Sequence, residues 1–327
     1  KEGITLETGM PQVPVLARSL IIPTTAKMHL NITNSEYVEL TLPVAPSKGN
    51  LTRDIDPSTV PYTFADFYQS QESYPTDIAY LTEPFILRDY RGITVRIQPF
   101  IYFPATQTLR IYTKLNISVY PQGTDLSNAI LNPKTSYSRY FESAYQNMFL
   151  NFSAAKYPSL DEEGRILVIK HSMFDATIQP WVAWKRQLGF TVDVVDVTEA
   201  GSSAANIKTY IQNQYNLNNG LMFVQLVGDG PQIPTLTYSS GGSDPSYALL
   251  AGNDNYYDIF VGRFSAQTVA ELETQVTRSI FYERDITAGA DWLEKAVGIA
   301  SSQGGGSQGD MGESDITHMN NIRTDLL

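Results

Sequence analysis

The hydrophobic pattern of this 327-residue chain changes period near residue 150, and that change constrains the fold more than any other feature. Before it, apolar residues alternate with polar ones. After it, they come in short continuous runs separated by helical spacings. A period of two belongs to a strand with one wet face, and a continuous run to a strand covered on both. One chain must then build two kinds of core, so an α+β architecture follows. The length agrees, because about 150 residues per domain gives two domains.

In the first part, residues 16–22, 38–42, 92–101 and 109–119 are rich in Val, Ile, Thr, Tyr and Phe. Within Thr94-Val95-Arg96-Ile97-Gln98-Pro99 the apolar side chains share one face. Pro, Gly, Asn and Ser break the runs at 43–50, 104–107 and 121–123, a cadence that predicts an all-β, sandwich-like unit. A helix over 136–150 and a polar stretch over 151–164 follow. Asn31, Asn50, Asn116 and Asn151 each open an Asn-x-Ser/Thr triplet, which in so Ser/Thr-rich a region reads as chance.

In the second part, Arg165-Ile166-Leu167-Val168-Ile169 predicts a strand buried on both faces. Ile178, Trp181, Val182, Trp184 and Leu188 mark a helix that stops at Gly189. A strand over 190–197, a helix over 204–215 and a strand over 221–227 follow. Alternation of this kind implies right-handed βαβ units and a parallel sheet. A long amphipathic helix is expected over 269–286, another buried strand over 297–301, and a helix from 316 in which the chain ends.

Composition removes several function classes. Acidic residues outnumber basic ones 34 to 23, a net charge of −11, which argues against nucleic acid as a partner. There is no Cys, hence no disulfide, thiolate metal site or thiol nucleophile in these residues. His29, His171 and His318 lie far apart and form no His-Glu-x-x-His pair. No apolar run approaches the ~18 residues of a membrane span. Charged residues at 17%, with twenty Tyr, read as extracytoplasmic and able to fill a large core.

Ligands in open parallel sheets bind beyond the carboxyl ends of the strands, and three such ends stand out. At Val227-Gly228-Asp229-Gly230-Pro231, Asp229 either organises a tight turn or binds a cation. Ala251-Gly252-Asn253-Asp254-Asn255-Tyr256-Tyr257-Asp258 is either a polar turn or a set of oxygen ligands for a hard cation, without the spacing of an EF-hand. Ser301-Ser302-Gln303-Gly304-Gly305-Gly306, followed by Glu313-Ser314-Asp315, lacks the P-loop, Rossmann and Gly-x-Ser-x-Gly patterns. There Asp315 either accepts from helix amides or pairs with a substrate Arg. His318 and His171 read as structural, with no triad pattern around them.

These residues together resemble the gingipain family of cysteine endopeptidases. The resemblance runs through Leu226-Val227-Gly228-Asp229, Ile233-Pro234, the Gly252–Phe264 stretch, Tyr282-Glu283-Arg284-x-Ile286-Thr287, Ile299-Ala300-Ser301 and Gly312-Glu313-Ser314-Asp315-Ile316-x-His318. It implies a β-rich prodomain over 1–156 and a caspase-like α/β catalytic domain. Residues 157–292 would be its first subdomain and 293–327 the incomplete start of its second. The family's catalytic His and Cys would lie downstream of Leu327, and the reaction would be thiolate attack on a peptide carbonyl through an acyl-enzyme. Asp315 matches the acid that pairs with the substrate's basic side chain. Ala251, Asp254, Tyr256 and Asp258 match a structural calcium site. Gln303 stands where the family places a Glu near the catalytic His, and an amide stabilises an imidazolium less than a carboxylate does. Lys156-Tyr157 aligns with the junction at which the prodomain is clipped, and that prodomain would be the intramolecular inhibitor. The expected protein is a secreted zymogen. Two other readings compete with it: an inactive homologue serving as a binding or adhesion module, and a calcium- and carbohydrate-binding surface protein.

Overall fold

The protein is described by a computed structural model covering residues 2–52, 55–133, 136–153, 159–160 (backbone), 164–287, 289–301 and 313–326. In the N-terminal half the elements are β1 (Glu2–Ile4), β2 (Pro14–Ile21), β3 (Ala26–Thr41), β4 (Ala79–Leu81), β5 (Phe85–Leu87), β6 (Tyr90–Ile97), β7 (Phe100–Phe103), β8 (Thr108–Thr124), β9 (Tyr137–Ser138) and helix α1 (Glu142–Met148). β9 pairs in parallel with Ser159–Leu160, and β1 to β8 form two antiparallel sheets. One runs β1-β2-β6-β4, with β5 also on β6, and the other runs β3-β8-β7.

The expected strand over 92–101 is two strands in different sheets. Pro99 has no N–H to give a ladder, and its carbonyl instead accepts from the Tyr112 N–H at 2.8 Å. The strand expected over 38–42 is only the end of the 16-residue β3. Its earlier part is a ribbon with β8 in which Ala26, Met28, Leu30 and Ile32 alternate with polar residues, a period of two that the expected strands left out. Arg91 is buried at the base of this ribbon. Its guanidinium pairs with Asp125 at 2.9 Å and donates to the carbonyls of Pro23, Ala26 and Ser127, so the buried charge is fully bonded. The side chain of Asn151 is also in use: it accepts from the Ile21 N–H and donates to the Ile21 carbonyl, both at 2.8 Å.

The C-terminal half continues with β10 (Ser159–Leu160), β11 (Arg165–Lys170), α2 (Asp175–Gln187), β12 (Thr191–Asp196), α3 (Val197–Ala200), α4 (Ala204–Asn216), β13 (Leu221–Val227), β14 (Leu236–Tyr238), β15 (Gly241–Ser243), β16 (Phe260–Phe264), α5 (Val269–Ile280) and α6 (Asp315–Leu326). Its sheet is wholly parallel, in the order β12-β11-β13-β16. The continuous apolar run of β11 is explained by its two neighbours. Leu167 and Ile169 pack on one face with Ile207 and Ile211 of α4. Ile166 and Val168 pack on the other with Ile178 and Trp181 of α2 and Leu272 and Val276 of α5. The fold is therefore α+β overall, with a doubly covered parallel sheet in its second half.

Two expectations need correction. The helix expected over 269–286 keeps α geometry only to Ile280, then widens to a π turn over Phe281–Asp285. Residues 297–301 form no strand. They take no regular structure, with Val297 and Ile299 each 84% exposed, and Gly298 lies against Met319 of α6. A strand exists only as one of a pair, and no described strand offers this segment its edge.

Candidate functional site

The order β12-β11-β13 places the reversal of the parallel sheet between β11 and β13, where open sheets form a crevice. His171 and Asp229 stand at its two sides. The Nδ1 of His171 accepts from the Met173 N–H at 3.3 Å and caps a short 3-10 turn. Asp229 accepts from Ser265 at 3.0 Å and Gln267 at 2.7 Å. The Gln267 amide, then the Gly230 N–H and the Ser265 hydroxyl, hold its carboxyl below the usual range. Both residues do turn-building work here. Beneath them Lys170 is buried between Asp196 at 3.0 Å and Asp175 at 2.5 Å.

The oxygen-rich loop from Ala251 to Asp258 lies on the boundary between the two halves. Asp258 is completely buried. Its Oδ2 accepts from the N–H groups of Leu250 and Ala251, both at 2.7 Å, and its Oδ1 from the Arg88 N–H at 3.1 Å. Burial, with Asp254 adding to it, pushes the Asp258 carboxyl up to about 6, against the pull of the three N–H bonds. Asp254 accepts from Ile86 N–H at 2.8 Å and Tyr256 N–H at 2.9 Å. On the other side of the same backbone, the Lys208 ammonium donates to the carbonyls of Ser246 at 2.9 Å and Leu249 at 2.6 Å. Burial lowers that ammonium to about 8, with Asp258 opposing. The stretch is thus held between an anion that reads its amides and a cation that reads its carbonyls.

Whether this loop suits calcium depends on its spare lone pairs. Asp254 keeps one lone pair on each oxygen, while Asp258 has given most of its capacity to three N–H groups. No group of three or more His, Cys, Asp or Glu that could hold a metal exists among the described residues. A cleft of about 1030 Å³ opens beside the loop, lined by Arg18, Glu83, Arg96, Asn128, Asp254 and Tyr256 among others.

Asp315 is the first residue of α6 and is half-buried. The Thr317 N–H is capped by the Ser314 hydroxyl at 3.1 Å, so capping at that amide belongs to Ser314 rather than Asp315. His318 pairs with Glu313, which also accepts from Asn321 at 2.8 Å. Gln303, Lys156 and Tyr157 lie outside the described residues.

Sequence reasoning missed the N-terminal half's share of this site. Arg88, Ile86 and Asn128 all bond into the 251–258 loop or its ends, Asn128 accepting from the Asn253 N–H at 2.8 Å. The halves also share an aromatic core. Phe85 stacks on Tyr256 with centroids 4.1 Å apart, and Phe141 packs on Phe260 at 4.7 Å. Leu87, Tyr137, Tyr145 and Phe149 join Met222 in the same cluster. Within it the Tyr145 hydroxyl donates to Asp89 at 2.8 Å, and burial followed by the Asp89 charge raises that phenol well above its ordinary value.

A β-rich half docked on a covered parallel sheet is matched by two family profiles in register with the two halves. The propeptide profile of family C25 matches residues 1–149, and peptidase family C25 matches residues 159–326. The chain belongs to peptidase family C25. It is 39% identical over 98% of its length to gingipain R1 of Porphyromonas gingivalis, covering 33% of that protein. To gingipain R2 it is 38% identical over 98% of its length, covering 44% of that protein. To Lys-gingipain of the same organism it is 26% identical over 91% of its length, covering 18% of that protein. The chain thus spans less than half the length of these relatives. Among solved structures it is similar to the complex of the Porphyromonas gingivalis RgpB pro- and mature domains, with 34% identity and a TM-score of 0.42, over 46% of this chain and 77% of that one.

Proposed function

We propose that these residues form the prodomain and the beginning of the catalytic domain of a secreted cysteine endopeptidase zymogen that cleaves after Arg or Lys. The observation that carries the reading is the order of the two matches, propeptide then peptidase, in one chain. Greater identity to the gingipain R relatives than to Lys-gingipain supports Arg as the preferred residue. The chemistry needs a thiolate that attacks the peptide carbonyl and a His that moves the proton. These 327 residues hold no Cys, so in this reading they supply binding and latency. Asp315 is the substrate acid, a role supported by its match to the family's pocket acid within the stretch that the peptidase family matches. Lys156-Tyr157 is the processing junction. In the complete enzyme, Asp315→Asn should lower kcat/KM for Arg and Lys substrates about 10-fold or more, since a charged hydrogen bond is worth ~1.5–3 kcal/mol. An unchanged kcat/KM would refute the assignment. N-terminal sequencing of the processed enzyme should begin at Tyr157.

Calcium at Ala251, Asp254, Tyr256 and Asp258 belongs to the same proposal. Its support is the family resemblance and the lone pairs left on Asp254. The three N–H bonds on Asp258 count against that residue as a direct ligand. Calorimetric titration with calcium before and after Asp254→Asn tests it, and no binding heat in either protein would remove calcium from the reading.

A further inference from the structure

The hairpin loop between β5 and β6 takes no part in the proposed chemistry, yet it holds an unusual residue. Leu87 pairs with Tyr90, so Arg88-Asp89 is a two-residue loop, and Arg88 has φ +47° at its first position. Glycine is the usual occupant of such a position. A side chain held at positive φ in a buried turn persists only when its surroundings fix it, and it points to a role.

Arg88 is 7% exposed, and its strongest partners lie in the other half of the chain. The guanidinium donates to the Asp258 carbonyl and, at 3.0 Å, to the Leu221 carbonyl at the start of β13. Its own N–H reaches Asp258 Oδ1, and two residues earlier the Ile86 N–H reaches Asp254 Oδ2. One hairpin therefore delivers donors to two carboxylates and two buried carbonyls across the boundary. The aromatic core beside it supplies area without direction, whereas the fork of donors fixes register.

We propose that Arg88 is the anchor that keeps the N-terminal half on the C-terminal half after the chain is cut between them, and that it holds the 250–258 loop in this conformation. The partner this acidic loop fits is the guanidinium-bearing hairpin of its own chain. Losing it strands the Asp258 and Leu221 carbonyls without their charged donor in a dry interface. The inference concerns how the halves hold together and stands apart from the peptidase reading.

The test uses the full chain with a site-specific protease sequence inserted between Lys156 and Tyr157, cut after folding. The wild-type fragments should co-elute on size exclusion, with the Leu250 and Ala251 amides protected from hydrogen exchange. Arg88→Ala should weaken fragment association about 100-fold, as loss of a buried interfacial anchor does, and expose both amides. Arg88→Gly relieves the backbone but lacks the guanidinium, so it should behave as Arg88→Ala does. Arg88→Lys, able to reach one carbonyl, should fall between, and it carries the test if the smaller variants fold poorly. Association and protection unchanged in Arg88→Lys and in either smaller variant would overturn the proposal. So would Arg88→Gly binding as tightly as wild type. An inactive full-length enzyme would refute the peptidase reading and leave this result as it stands.

Discussion

Replacing Asp258 by Asn asks whether the buried carboxylate organises the acidic loop or is merely tolerated there. Two effects oppose each other. Burial and Asp254 raise the carboxyl to about 6 from 3.8. That value already includes the pull of its three N–H partners, so at neutral pH the charge costs about 3 kcal/mol net of them, which a neutral amide would relieve. Against this stand the three N–H groups it accepts. An amide has one oxygen, so in its better orientation it keeps Leu250 and Ala251 and turns its NH2 toward the Arg88 N–H. The Arg88 N–H and the amide NH2 then face each other as two buried donors without acceptors, at about 1–3 kcal/mol each. The opposing terms, about 2–6 against about 3 kcal/mol, centre on a net destabilisation of about 1 kcal/mol. Urea unfolding at pH 7.5, above the raised pKa, measures it, in EDTA so that any cation is removed from the comparison. A variant as stable as wild type, or more stable, would show that the loop rearranges to pair both donors, and the account of the loop would fall. Repeating the series with calcium separates a ligand role from this one.

Two further changes probe the cores. Asp196 has burial raising its carboxyl, outweighed by the Thr198 N–H and hydroxyl and then by Lys170, so that it sits at about 2. A folded value below the unfolded 3.8 gives stability that is present above pH ~4 and lost as pH falls toward 2. Asp196→Asn should therefore cost about 1–2 kcal/mol at pH 7 and flatten the acid limb of the stability profile, and an unaltered limb would contradict this. A Cβ at Gly92 would lie 2.5 Å from Phe85 and 2.7 Å from Phe149, in the core shared by the halves. Gly92→Ala should then cost about 1–3 kcal/mol by overpacking, read as a lower melting temperature. An unchanged melting temperature would mean that the Phe85–Phe149 stack yields freely.

The parallel sheet was legible because its signal is local. Three of its four strands carry their own apolar run, each helix its own spacing, and the strand expected at 221–227 coincides with β13, whereas β16, with Gly262 and Arg263 inside it, is not among the expected strands. Legibility failed where a neighbour decides. Residues 297–301 have the composition of a strand and no edge to join. Residues 26–33 have both an edge in β8 and a period of two, in Ala26, Met28, Leu30 and Ile32, so this strand was missed although its signal is local. Residues 98 and 99 end one sheet and lead into another, a choice that Pro99 makes through its missing donor rather than through hydrophobicity.

The candidate site divides in the same way. The acidic loop is visible in sequence as a cluster of oxygens, but oxygens accept from amides and from cations alike. Composition cannot say which donors the fold brings. Here it brings Ile86 and Arg88 from about 170 residues away, along with Lys208 from α4. The sequence carries one mark of this, and it is negative. Leu87-Arg88-Asp89-Tyr90 turns a hairpin with no Gly or Asn at its two loop positions, where two-residue loops favour them. A turn that refuses the easy residue is a place to look for a side chain that is wanted. Only the folded chain decides where the donors of Asp258 come from, and it draws two of them from that turn.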